Sequence, residues 1–228
     1  LTSNVGPFRT PPAPPGNPLY LLLCYPSGRY ATSLLQLDLI TETLRCDKTL
    51  FHALRKNYIS MRGRWLSIFS FRTLHSIKFV QFDLYSSLLV DVKQQNSIPP
   101  PTNQEFHYLP APPELIPPIG ERHLMHLYTH PDHAESSPIC FEKFPKKLRE
   151  KLTCKGGTNE GWGLQFIEGW NMKKISGLVF LLFVVGSLGI AVLWSVYEHS
   201  IQDAFTMASY VIAMAAMGMA TLQASLAR

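Results

Sequence analysis

Residues 175–197 read ISGLVFLLFVVGSLGIAVLWSVY, 23 positions without a charge, and residues 204–227 form a second, milder apolar run after the short acidic segment 198–203. A helix rises about 1.5 Å per residue, so roughly 20 such residues cross the ~30 Å hydrocarbon layer of a bilayer. Leu178 to Val185 is apolar on every helical face, which suits lipid, whereas a helix on a globular surface carries a polar stripe. Trp170 precedes the first run, and Trp194 and Tyr197 close it, where amphipathic rings settle at headgroup depth. The second run is interrupted by Thr206, Ser209, Thr221, Gln223 and Ser225. The expectation is a C-terminal transmembrane hairpin, with helix 1 over 175–197, a non-cytosolic turn over 198–203 and helix 2 over 204–227. Ser187, Ala191 and Ser195 on one run, and Ala216, Ala220 and Ala224 on the other, recur every four residues. Such small faces let helices approach closely in lipid and offer a route to homo-oligomers.

Charge sets the orientation. Lys173 and Lys174 abut the first run and Arg228 ends the chain, while the turn carries Glu198 and Asp203 and no Lys or Arg. By the positive-inside rule both termini are cytosolic. Nothing near Leu1 resembles a cleaved signal peptide, and an opening at Leu1, not Met, leaves room for an upstream element. The formal charge of +5 is matched by the net charge of residues 143–155 alone, so the basicity is local. A local cluster points to a membrane surface, and no nucleic-acid partner is expected.

Ahead of the apolar runs the composition divides into segments. Residues 1–18, with six prolines, read as a solvated, disordered lead-in. Residues 19–93 read as a small α+β domain. In it, Leu19 to Tyr25 is a strand, Pro26-Ser27-Gly28 a turn, and 29–39 a return strand in which Leu35, Leu37 and Leu39 alternate with Gln36 and Asp38. Asp47 is placed to N-cap a helix carrying Leu50, Leu54, Tyr58, Met61 and Trp65 at helical spacing. Val80, Phe82 and Leu84 alternate in a further strand, with Leu88 to Val92 available to pair with it. Residues 94–160 hold a proline-rich arm, a His-rich turn and a basic juxtamembrane segment, and 161–174 an interfacial segment.

In the arm, eight of the 21 residues from Ile98 to Pro118 are proline. Proline donates no hydrogen bond and favours polyproline II, so this stretch is either a stiff spacer, with Phe106, Tyr108, Leu115 and Ile116 able to pack, or a ligand for a protein partner. Residues 143–155 suggest a basic amphipathic turn or short helix with Phe144, Leu148 and Leu152 on one side. Lys146, Lys147, Arg149 and Lys151, with Trp162, Trp170, Lys173 and Lys174, are the candidate membrane-surface residues, each cation contributing about 1 kcal/mol beside an anionic leaflet.

Among motifs that carry chemistry, only the stretch from His123 to His133 stands out. His126 and His130 are four apart and share a helical face, the spacing two imidazoles need to hold a divalent metal; His123 and His133 are further ligand candidates, with Cys140 beyond them. Pro131 ends any helix after His130, and no Glu lies between the two histidines as a zinc hydrolase would require. The chain has no Gly-rich phosphate loop and no GxSxG elbow. The four cysteines show no CxxC spacing and read as ordinary reduced thiols.

The runs YISMRGRW (58–65), IKFVQF (77–82), PPIGE (117–121), HLMHLY (123–128) and GWGLQFIEGW (161–170), followed by two apolar spans, resemble an uncharacterised family of filamentous ascomycete fungal membrane proteins with a C-terminal pair of transmembrane helices. The resemblance covers nearly the whole chain after the first proline stretch. It implies a fungal source and the membrane hairpin, and it carries over no activity, ligand or active-site residue. The reading favoured by the sequence is a membrane-anchored cytosolic adaptor or scaffold without catalytic activity or cofactor, its partners being the bilayer and a protein met through residues 98–118. The alternative is a membrane-bound enzyme dependent on zinc or another divalent metal held by the His123–His133 cluster. A pore or transporter subunit is weaker, because the two spans offer no ionisable side chain for an ion path.

Overall fold

The computed structural model describes residues 18–28, 30–39, 44, 46–63, 70–86, 88–154, 159–198 and 201–226. The lead-in before Pro18, Trp65, Lys155, Gly156-Gly157 and Arg228 lie outside the described residues. The chain divides into two compact units, residues 1–169 and 170–228.

The first unit is α+β. In chain order its elements are β1 (Leu19–Pro26), β2 (Thr32–Asp38), α1 (Asp47–Arg62), β3 (Arg72–Leu84), β4 (Leu89–Gln95), β5 (Phe106–His107), α2 (Glu121–Thr129), α3 (Ile139–Lys143), β6 (Lys146–Leu148) and β7 (Glu160–Trp170). Short 3-10 turns at Pro113–Leu115 and Pro131–His133 flank α2. The strands form one mixed sheet in the order β2-β4-β3-β7-β1-β6-β5, and β2 also pairs with β1. The pairing therefore closes on itself through β1, β2, β4, β3 and β7, while β6 and the two-residue β5 branch from β1 and leave β5 at an edge. β1 runs antiparallel to β2 with Leu23 opposite Leu35, and parallel to β7 with Leu23 opposite Leu164.

β1 is apolar on both faces because both are covered. Leu21 and Leu23 join a core with Phe51 and Leu54 of α1, Leu124 and Leu127 of α2, and Phe144, while Leu22 and Cys24 join a second core with Val80, Phe82, Phe106 and Trp162. A strand buried on two sides loses the polar alternation of a half-exposed one. α1 starts one residue from the expected place: Cys46 is its N-cap, with Thr49 in the reciprocal position, and Asp47 is the first helical residue. The Asp47 carboxylate accepts the backbone N–H groups of Cys140 and Phe141 at 2.8 and 2.7 Å, tying the start of α1 to α3.

The α+β unit extends well beyond residue 93. The proline-rich arm contributes β5, where Phe106 and Tyr108 are buried, while Leu115 and Ile116 stay exposed. The Tyr108 hydroxyl donates to the Pro99 carbonyl at 2.5 Å, which fixes one proline-rich turn against the next. Residues 143–155 are not one amphipathic helix: α3 ends at Lys143 and β6 begins at Lys146, pairing with β1 and β5. Phe144 and Leu152 anchor that segment from within the two cores, and the backbone between them is drawn into the sheet.

The second unit holds two helices, α4 (Met172–Glu198) and α5 (Ile201–Leu226). Among the described residues α4 is the one helix long and apolar enough to cross a bilayer, over Met172–Tyr197. The apolar part of α5 is Phe205–Gly218, about 21 Å of helix against a hydrocarbon layer of about 30 Å. Ser187 and Ala191 of α4 and Ala208 and Ala215 of α5 are buried. The packed small residues of α5 are thus seven apart, and Ala216 and Ala220, expected at the contact, are exposed.

Candidate metal centre

α2 turns Leu124, Leu127 and Tyr128 into the core and leaves His123, His126 and His130 exposed. Pro131 is buried and ends the helix, so the chain continues as the 3-10 turn Pro131–His133. The backbone N–H of His130 still reaches the His126 carbonyl at 2.9 Å, and that of His133 reaches His130 at 3.0 Å. This tight turn folds His133 back beside the helix end. One ring nitrogen from each of His126, His130 and His133 lies within 4.8 Å of the others. The closest pair, His133 Nδ1 and His126 Nε2, is 3.2 Å apart, and the His130 and His133 rings stack at 14° with centroids 5.1 Å apart. Two imidazoles bound at 2.0–2.1 Å to one tetrahedral zinc have nitrogens about 3.3 Å apart, so this spacing suits a shared cation.

The remaining candidates, His123 and Cys140, fall elsewhere, and the neighbouring carboxylates of Asp132 and Glu121 engage other partners. His123 is exposed on α2 and outside the three-histidine group. Asp132 faces α1, bonding Lys48 at 2.9 Å with His52 at 3.7 Å, and the Lys48 ammonium holds its carboxyl below the usual range. Glu121 accepts from Ser76 at 2.8 Å and pairs with Lys78 at 3.2 Å. Cys140 is buried and lies outside the three-histidine group, and burial with Asp47 nearby pushes its thiol up to about 12.

The candidate membrane-surface residues are dispersed as well. Lys146 and Lys147 are buried in β6. The Lys146 ammonium donates to the Phe141 carbonyl and lies 4.2 Å from the Phe141 ring centre, and burial pushes its pKa down to about 8. Lys147 pairs with Glu105 at 2.7 Å. Trp162 is buried edge-on against Phe106, with ring centroids 5.5 Å apart. Arg149, Lys151, Trp170, Lys173 and Lys174 are exposed. Long aliphatic stems let lysines enter a core at the cost of their hydration, which hydropathy along the chain does not reveal.

Sequence reasoning missed a cleft of about 360 Å³ at the end of α1, bordered by Tyr25 and Gly28 of the β1–β2 turn and by Tyr58, Met61, Arg62 and Glu168. Tyr58 donates to Glu168 at 2.7 Å, Arg62 donates to the Tyr58 hydroxyl at 3.0 Å, and Arg62 lies 3.6 Å from Glu168. Burial, reinforced by Glu168, raises the Tyr58 phenol well above its ordinary value. Arg62 also donates to Ser70 at 2.5 Å and to the Arg72 carbonyl. With its donors so engaged, Arg62 joins α1 to β3 and β7 as a structural tie. The signal was present only as the helical spacing of Tyr58 and Arg62; Glu168 lies 106 residues beyond Arg62. In comparisons with known proteins, no family model, curated protein or solved structure matches this chain.

Proposed function

We propose that this chain is a membrane-anchored, non-catalytic binding module of fungal origin, in which α4 and α5 form a transmembrane hairpin with both termini in the cytosol. The single observation behind the reading is α4, whose 26-residue apolar stretch Met172–Tyr197 leaves its large side chains exposed, Leu182, Leu193 and Val196 by more than 60%. Exposed apolar area of that kind is favourable only when removed from water, and lipid does so without a protein partner. In this reading α5 returns beside α4, its shorter apolar part set against the small residues of its neighbour. Anchoring raises the concentration of the α+β unit at the membrane, where the exposed Leu115 and Ile116 contact a protein partner.

Membrane integration and topology test the reading together. The protein is expected to stay in the membrane pellet through alkaline carbonate extraction. An N-glycosylation acceptor in a loop lengthened around Ser200 should be modified and one near Thr158 should not. Release by carbonate would remove the anchor, and the reverse glycosylation pattern would overturn the orientation. The adaptor role predicts a stoichiometric partner in mild detergent that Leu115→Ala with Ile116→Ala releases; a partner retained by that variant would move the contact elsewhere.

A further inference from the structure

We propose that His126, His130 and His133 form a binding site for one divalent transition-metal cation of the zinc class, open to solvent on its outer side. The three ring nitrogens converge within 4.8 Å, and His133 Nδ1 and His126 Nε2, hydrogen-bonded to each other at 3.2 Å, already stand at the separation of two ligands sharing a tetrahedral cation. The donor set selects the metal. Three neutral imidazoles suit Zn²⁺, Cu²⁺, Ni²⁺ and Co²⁺, whereas Mg²⁺ and Ca²⁺ require oxygen ligands, and the group contains no carboxylate.

The positions of the three histidines follow from packing that requires no metal. His126 and His130 lie on the exposed side of a helix whose other side carries the buried Leu124, Leu127 and Tyr128. His133 lies between the buried Pro131 and Ala134, in a turn that Lys48 of α1 holds through Asp132. The backbone of the three ligands is therefore preorganised; the stacked His130 and His133 rings must turn to point at one cation, but no chain has to be ordered when it binds. All three histidines are exposed, so water or an outside donor completes the coordination. The bound ion would clamp the last turn of α2 to the 3-10 turn, making metal binding and the stability of this corner mutually dependent. The proposal stands independently of the membrane anchor.

The test uses the full-length chain in detergent micelles, free of any histidine tag and dialysed against a chelator. Titration with Zn²⁺ should reach one ion per chain, and Mg²⁺ should not compete. Co²⁺ in its place should give the visible bands of a low-coordinate site. His130→Ala or His133→Ala should each weaken Zn²⁺ binding by more than about 100-fold, beyond the 10- to 100-fold that losing an outer-shell partner costs. His123→Ala, on the same helix but outside the group, should leave binding unchanged. Absence of saturable Zn²⁺ binding would overturn the proposal, as would affinity preserved in the His133→Ala protein or an equal loss in His123→Ala. Because His133 is an exposed residue of a short turn, its variant is expected to keep the parental circular dichroism, and a His133→Gln variant of equal phenotype guards against misfolding.

Discussion

Asp47 is a carboxylate inside the first unit, only 3% exposed, and its role is to accept the N–H groups of Cys140 and Phe141. Asp47→Ala leaves two interior donors without an acceptor, and a buried donor so stranded costs about 1–3 kcal/mol. A loss of about 2–5 kcal/mol in urea unfolding is expected, with Asp47→Asn in between because its amide oxygen still accepts one bond. Lys146 presents the opposite problem, a cation whose folded pKa is depressed to about 8 by burial, against an ordinary value of 10.5. Between those values the unfolded chain binds the proton and the folded chain does not, so this residue's contribution to stability rises with pH across the window. The stability of the parent relative to Lys146→Met should therefore increase from pH 8 to about pH 10.5, by up to about 3 kcal/mol for a shift of this size. Taking the difference between the two proteins cancels the opposing titration of the buried thiols. A flat difference in thermal or urea unfolding would show that Lys146 does not shed its proton in the folded state.

At the scale of elements, β7 depends on glycine where it passes its neighbours. A Cβ at Gly163 would lie 2.2 Å from the Leu22 carbonyl oxygen of β1, and one at Gly161 would lie 2.7 Å from the Phe82 ring of β3. Gly163→Ala must push two paired strands apart and should cost about 3 kcal/mol or more, at the top of the range for overpacked cores. At Gly169 the nearest atom is the His75 Cβ at 3.1 Å, so Gly169→Ala should cost far less; equal melting temperatures for the two variants would contradict the close approach of β7 to β1. These glycines also explain what was legible in the sequence. β2, α1, β3 and β4 declare themselves by alternation or by helical spacing, and β1 by a continuous apolar run whose two faces enter the two cores. β7 carries Gly161, Gly163 and Gly169 with Trp162 and Trp170, a pattern that suggests a membrane interface, since glycines selected for close backbone approach leave no hydrophobic period to read. β5 and β6 are two and three residues long and lie in proline-rich and lysine-rich surroundings, so their strand character comes from the partners and not from their own propensity. The three-histidine group was half legible: the His126 to His130 spacing is helical, but the arrival of His133 required the 3-10 turn after Pro131, and His123, one turn earlier, stays outside the group.

For the whole molecule, the two units place their apolar residues differently. Both hydrophobic cores of the first unit are built entirely from residues between Leu19 and Phe166, so its stability is contained within it. Ending the chain at Gly169 should leave a protein that melts cooperatively and moves from the membrane pellet to the supernatant. α4, in contrast, exposes Leu181, Leu182, Val185 and Leu188 near its midpoint, and such residues contribute favourably to insertion by a few tenths of a kcal/mol each. A lysine at the centre of a span costs about 2.5–3.5 kcal/mol on the same scale, so Val185→Lys with Leu188→Lys opposes insertion by about 5–7 kcal/mol. The twelve Leu, Ile, Val and Phe residues left in 175–197 offset about 4–7 kcal/mol on the same scale, so the two lysines cancel the drive for insertion. The double variant should become extractable by carbonate while the first unit keeps its melting temperature. If the double variant is still retained in the membrane, insertion through α4 is not what holds the protein there; if the first unit melts earlier as well, its stability draws on the second unit.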